Sequence, residues 1–221
     1  MGTEMGLRES KKQETRRLIS DHATRLFMEQ GFEATTIAEI ADAARVAKKT
    51  VTNYFARKED MALDHHEAFT ASLAAAVAGR GDGESPLDAL RRECLTALEH
   101  HDPVAGFAGP AFAGMIVDSP TLTARLRELH DRREDELATA LAALDTEAGA
   151  GERPGAGGDL APRAAAALIA AAHRLLFRRI QELTLAGDPD DRITAVLVPE
   201  AEHVFDLLAA ALDGSWYAGR R

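Results

Sequence analysis

The sequence is poor in cysteine and aromatics, and it has no long apolar run. With Cys94 as the single cysteine in 221 residues, an internal disulfide is impossible, so the fold is not a stapled scaffold. Cys94 itself reads as a small core residue. Aromatic residues make up 5% of the chain, so the core must be mainly aliphatic and alanine. No apolar stretch approaches the roughly 20 residues of a membrane span, and Met1 to Lys12 is polar, without the apolar centre of a signal peptide. The expectation is a cytoplasmic protein with no membrane partner. A glycine-rich phosphate loop, G-x-S-x-G and H-E-x-x-H are all missing. No enzyme activity and no cofactor are expected.

What is present points to helices. Apolar residues reach 46%, with alanine runs at Ala74-Ala75-Ala76 and Ala164 to Ala167. Alanine favours helices and disfavours strands, and its small side chain lets helices approach closely. No repeat or strand pattern appears. The formal net charge is −10, but it is unevenly spread. Residues 1–58 carry 11 Lys/Arg and 8 Asp/Glu, whereas the rest carry 15 and 28. A basic head on an acidic body is the asymmetry expected when only one end meets phosphate.

Residues 1–11 lack apolar periodicity and read as a flexible arm, with Lys11, Lys12, Arg16 and Arg17 as candidates for meeting phosphate. From Lys12 to Gln30, Leu18, Ile19, Ala23, Leu26 and Phe27 recur at helical spacing, and Gly31 ends the helix. Thr36-Ile37-Ala38-Glu39 fits a capping box opening a second helix with Ile37, Ile40, Ala41 and Ala44 on one side. After a tight turn at Arg45-Val46, a third helix runs from about Ala47 to Phe55. A long helix is then expected from Lys58 to Val77. Others follow from Pro86 to near His101, in the apolar stretch 104–117, from Pro120 to about Leu144, from Leu160 to Ala186 and from Asp190 to Leu212, where Pro199 should kink or restart the last. Residues 148–159 hold six Gly or Pro and read as a flexible loop.

Two short helices joined by a tight turn and backed by a longer one make a helix-turn-helix. In the third helix Val51 and Phe55 face the core, leaving Lys48, Lys49, Thr52 and Asn53 outward, as a helix in the major groove requires. The stretches Thr35 to Ala41, Val46 to Phe55 and Arg57 to Met61 closely resemble the head of the TetR family of regulators, over residues 12–63. The resemblance implies an all-α fold of about nine helices, with a head over 12–57 and a ligand-binding and dimerisation body over 58–221. It implies double-stranded DNA, a small-molecule effector and a second copy as partners. It also implies phosphate contacts from Thr36, Lys48, Thr50, Tyr54 and Lys58, leaving Lys49, Thr52 and Asn53 for sequence readout. Ala47, Arg45 and Thr52 depart from the family's usual serine, glycine and tyrosine.

In that family the pocket lies among the middle helices. The matching candidates are Phe69, Leu73, Leu98, Phe107, Phe112, Met115, Leu129, His173 and Phe177, each of which also fits an ordinary core. Gly106, Gly109 and Gly114 thin out side chains around Phe107, Phe112 and Met115, leaving a cavity or allowing close helix approach. The effector is expected to be small and largely apolar, releasing a repressor from a palindromic operator. Ligand-independent or partner-controlled DNA binding and metal control remain alternatives. His65-His66 and His100-His101 invite a metal, but neighbours on a helix point about 100° apart, so no metal ligands are assigned. The last two helices present apolar faces suited to a dimer bundle, with Arg174, Arg178 and Arg179 as candidates for charge pairs across it.

Overall fold

Helix-favouring residues predominate from Leu7 to Gln13, and α1 spans Gly2–Gln30, so residues 2–11 extend the first helix and are not an irregular arm. The computed structural model describes residues 2–147 and 160–212; the glycine-rich segment 148–159 lies outside them. After α1 come α2 (Ile37–Ala43), α3 (Lys48–Tyr54), α4 (Glu59–Ala62), α5 (His66–Ala78), α6 (Pro86–Glu99), a short 3₁₀ turn at Pro103–Ala105, α7 (Pro110–Asp118), α8 (Pro120–Glu147), α9 (Leu160–Leu185) and α10 (Asp190–Ala211). No strand occurs among the described residues.

The helix expected from Lys58 to Val77 is broken at 63–65 into α4 and α5. Asp64, His65 and His66 are weak helix formers, and Arg16 pairs with the Asp64 carboxylate at 2.8 Å. α10 runs through Pro199 without an interruption.

The chain divides into two compact units. The first joins residues 2–66 to 114–125. Ile19, Phe27, Phe32, Ile40, Val51, Phe55 and Met61 are among its buried side chains. Burial of each such residue contributes roughly 1.5–3 kcal/mol. Ser119 Oγ donates to Glu33 at 2.6 Å and Arg125 pairs with Asp60, which ties the distant segment to the rest of the unit.

The second unit contains residues 67–113, 126–147 and 160–212. α10 packs against both α6 and α9. Leu73, Leu90, Leu137, Leu141, Ile169 and Phe205 form one apolar cluster, and Leu98, Phe107, Ile180, Ile193 and Leu197 form another. α9 corrects one expectation: it is apolar and long enough to cross a membrane by composition, with mean hydropathy 1.3 over its best window. Its alanine-rich inner side, including Ala165, Ala166, Ile169 and Ile180, is instead part of the core.

Candidate nucleic-acid interface and body cavity

Three local devices hold the short helices of the head. Gly31, at φ +90°, ends α1 in a conformation that other residues adopt at a cost, and its carbonyl accepts a 2.8 Å bond from the buried Thr35 hydroxyl. Thr36 caps α2: its hydroxyl accepts from the Glu39 amide, while its own amide donates to the Glu39 carboxylate at 2.8 Å. The Thr36 amide, with the Thr36 hydroxyl that also donates to the Glu39 carboxylate at 2.8 Å, holds that carboxyl below its usual range. The α2–α3 turn passes through Arg45 at φ +55° and closes with a Val46 amide bond to the Ala41 carbonyl. At the start of α3, Ala47 offers no side-chain cap.

α3 is locked from one side by Val51 and Phe55, both buried, while Thr50 and Tyr54 are half-buried. Lys48, Lys49, Thr52 and Asn53 are exposed together on the opposite side. That side offers two cations, a hydroxyl and an amide to whatever meets it. Thr52 Oγ1 donates to the Lys49 carbonyl at 3.1 Å, which fixes its rotamer.

Two cations of the head are turned inward. Arg16 lies over the Phe55 ring at 4.5 Å, donates to the Tyr54 carbonyl and pairs with Asp64. Lys58 sits 4.2 Å from the Phe32 ring centre and donates to the carbonyls of Phe32 at 2.7 Å and Thr35 at 3.0 Å. Through these contacts Lys58 holds the loop after α1, and Arg16 holds the end of α3, to the core.

The second unit has a partly open cavity of about 130 Å³ between α5, α6, the 3₁₀ turn, α8 and α9. Leu73, Leu98, Leu176, Phe177 and Ile180 form apolar wall, and Ser72, Arg133 and His173 bring polar groups. Arg133 is buried; its Nε donates to Ser72 Oγ at 2.8 Å and its guanidinium lies 4.7 Å from the Phe69 ring centre. Phe69, His130 and Phe177 stack edge to face, with ring centres 5.0–5.9 Å apart. Burial, reinforced by Arg133, pushes the imidazoles of His130 and His173 down to about 3, so both are neutral at pH 7. His173 Nε2 is buried without a hydrogen-bond partner. Burial pushes the Cys94 thiol up to about 11, so it is neutral too.

Residues 19–64 match the family described as bacterial regulatory proteins, tetR family. The HTH-type transcriptional regulator TcmR of Streptomyces glaucescens is 30% identical over 216 residues, covering 96% of this chain and 90% of that one. The chain belongs to the TetR family. It is therefore a DNA-binding transcriptional regulator. The fold agrees: the native structure of NalD from Pseudomonas aeruginosa aligns at TM-score 0.55 and 21% identity over 89% of this chain and 96% of that one. A TetR-family regulator from Mesorhizobium loti aligns at 0.56 and 16% over 90% and 97%.

In this TetR-family chain, four of the nine pocket candidates line the cavity: Leu73, Leu98, His173 and Phe177. Phe69 is buried behind Arg133. Phe107 is buried against His101, and Leu129 is also buried. Phe112 is half-buried in the second unit, and Met115 is buried in the first. Of the three glycines only Gly106 serves close approach: at φ +126°, a Cβ on it would come within 3.3 Å of Phe177, whereas a Cβ on Gly109 or Gly114 would meet nothing within 4 Å. The polar residues Arg133 and Ser72 escape a search for apolar walls. A signal exists, because Arg133 falls at helical spacing between the buried Leu129 and Leu137. His100 bonds the Thr96 carbonyl and His101 faces Asp191; among the described residues no three metal-binding side chains gather. Arg174 pairs with Glu134, and Arg179 lies 3.6 Å from both Glu182 and Glu200, all within one chain.

Proposed function

We propose that this protein is a dimeric repressor whose α3 reads a palindromic operator and whose body cavity receives a small effector that releases it. The observation that carries the reading is the sidedness of α3. Val51 and Phe55 are buried while Lys48, Lys49, Thr52 and Asn53 share the exposed side. In this reading Lys48, with Thr36, Thr50 and Tyr54, meets phosphate, and Lys49, Thr52 and Asn53 meet base edges; Asn suits adenine and Lys suits guanine.

A palindrome needs two heads about one DNA turn apart, ~34 Å. Leu168 and Leu175, seven residues apart on α9, are 46% and 51% exposed, and Leu207 on α10 is 58% exposed. Apolar side chains left out of the monomer core support pairing of these helices with a second copy. Action on the chromosome places the protein in the cytoplasm. The cavity favours a small-molecule effector over control by a partner protein.

The test is operator selection from random duplexes with the full-length protein, followed by gel shift with Asn53→Ala. The expected result is a two-fold symmetric site and a variant whose preferred bases change. A chain that stays monomeric and ignores all duplexes at low salt overturns the reading.

A further inference from the structure

The effector cavity contains a charge that the protein does not neutralise. Arg133 is buried, and its contacts are the neutral Ser72 hydroxyl and the Phe69 face. Among the described residues no carboxylate pairs with it. Two carboxylates do line the cavity, but both have other partners: Asp102 accepts the Val104 amide at 2.8 Å, and Glu93 bonds Arg92. Removing a cation from water costs several kcal/mol unless an opposite charge meets it. A cation–π contact and one hydroxyl offset part of that. Both Nη atoms remain as donors, in the fork that matches a carboxylate. His173, on the same wall, leaves Nε2 without a partner.

We infer that the cavity binds a small organic anion: a carboxylate held by Arg133, on a one-ring or short branched apolar body held by Leu73, Leu98, Phe177 and Ile180. This rests on the reading of the cavity as the effector site, and it adds one carboxylate to the small, largely apolar effector expected from the sequence. Size sets the body, because a cavity of roughly 150 Å³ holds one benzene ring and this one is about 130 Å³. Burial lowers the Arg133 guanidinium to about 10, so it remains a cation at pH 7, while the two imidazoles and the thiol on or beside the wall are neutral. The wall's two carboxylates, Glu93 and Asp102, are held by Arg92 and the Val104 amide and not by Arg133.

The test titrates full-length protein calorimetrically with benzoate, benzamide and benzylammonium, matched in size and differing in charge. Benzoate is expected to bind at least about tenfold tighter than benzamide, the scale of a charge-assisted hydrogen bond, with benzylammonium weakest. Arg133→Gln should remove that advantage and leave benzamide binding in place, which also certifies the variant's fold; Arg133→Lys should keep part of it. Equal binding of benzoate and benzamide, an unchanged ratio in Arg133→Gln, or no binding by any probe overturns the inference. Operator release measured in parallel separates the two readings. Benzoate that binds without releasing DNA defeats the effector reading and leaves the anion site standing. A neutral ring that releases DNA while benzoate is inert does the reverse.

Discussion

Arg125 directs Nε and Nη2 at one oxygen of Asp60, Oδ1, at 3.1 and 2.7 Å, with both side chains buried. The pair joins the start of α8 to α4 within the DNA-reading unit, across 65 positions of sequence. Its value is asymmetric. Making a buried pair gains little over apolar packing, but removing one partner of such a pair costs about 3–5 kcal/mol. Asp60→Ala should therefore lower Tm by roughly 10 °C for a chain of this size. Asp60→Leu with Arg125→Met should recover most of the loss. Circular dichroism melts of the three proteins check this, and a double variant as unstable as the single would contradict it.

Lys48 and Lys58 are both cations of the head, but only Lys48 is exposed. Lys48→Ala should weaken binding to every duplex and reduce the slope of log K against log salt by about one. Lys58→Ala removes donors from the Phe32 and Thr35 carbonyls. Its loss should appear as stability, about 1–3 kcal/mol, because hydrogen bonds to a charged group are lost, while the salt slope stays near wild type. Binding titrations at several salt concentrations, paired with melts, separate the two. A salt slope that drops equally in both variants would return Lys58 to the phosphate contacts.

How much of this is legible in the sequence depends on how local the determinant is. The capping box of Thr36 and Glu39, the turn at Arg45 and the Val51/Phe55 spacing each lie within a few residues, and the head reads from them directly. The break after α4 does not, because apolar periodicity continues through Leu63, Ala68 and Phe69. What marks it is Arg16 reaching Asp64 from 48 positions away. The same holds for residues 114–125, whose place in the head depends on Glu33 and Asp60. Arg133 is masked by composition: it sits in the run Arg132-Arg133-Glu134-Asp135-Glu136, which resembles a solvated surface, yet its turn of α8 faces inward.

Arg45 holds φ +55° in the turn between α2 and α3. A side chain in that region costs on the order of 1–2 kcal/mol through the clash of Cβ with the following carbonyl. Glycine removes the clash but adds freedom to the unfolded chain, an opposing effect of about 0.5–1 kcal/mol. Arg45→Gly should therefore stabilise by up to about 1 kcal/mol, raising Tm by roughly 2–4 °C. Arg45→Val, β-branched, should destabilise. If both lower Tm alike, the arginine side chain contributes more than its backbone costs.

Acid should act on the second unit through its two neutral imidazoles. His130 and His173 fall from 6.5 to about 3 because burial, with Arg133 nearby, opposes the cation. A depressed histidine binds its proton more tightly in the unfolded chain. Below pH 6.5 the unfolded state takes up a proton at each site that the folded state refuses, so stability present above 6.5 is lost as pH falls toward 3. Near pH 5 unfolding should take up about two protons from these sites, on top of the carboxylate contribution. Melts between pH 4.5 and 7.5 measure this as the slope of stability with pH. His173→Leu, which also removes the unpartnered Nε2, should reduce that slope by about one proton. An unchanged slope in His173→Leu would mean that the imidazole titrates alike in both states and that burial is not what keeps it neutral.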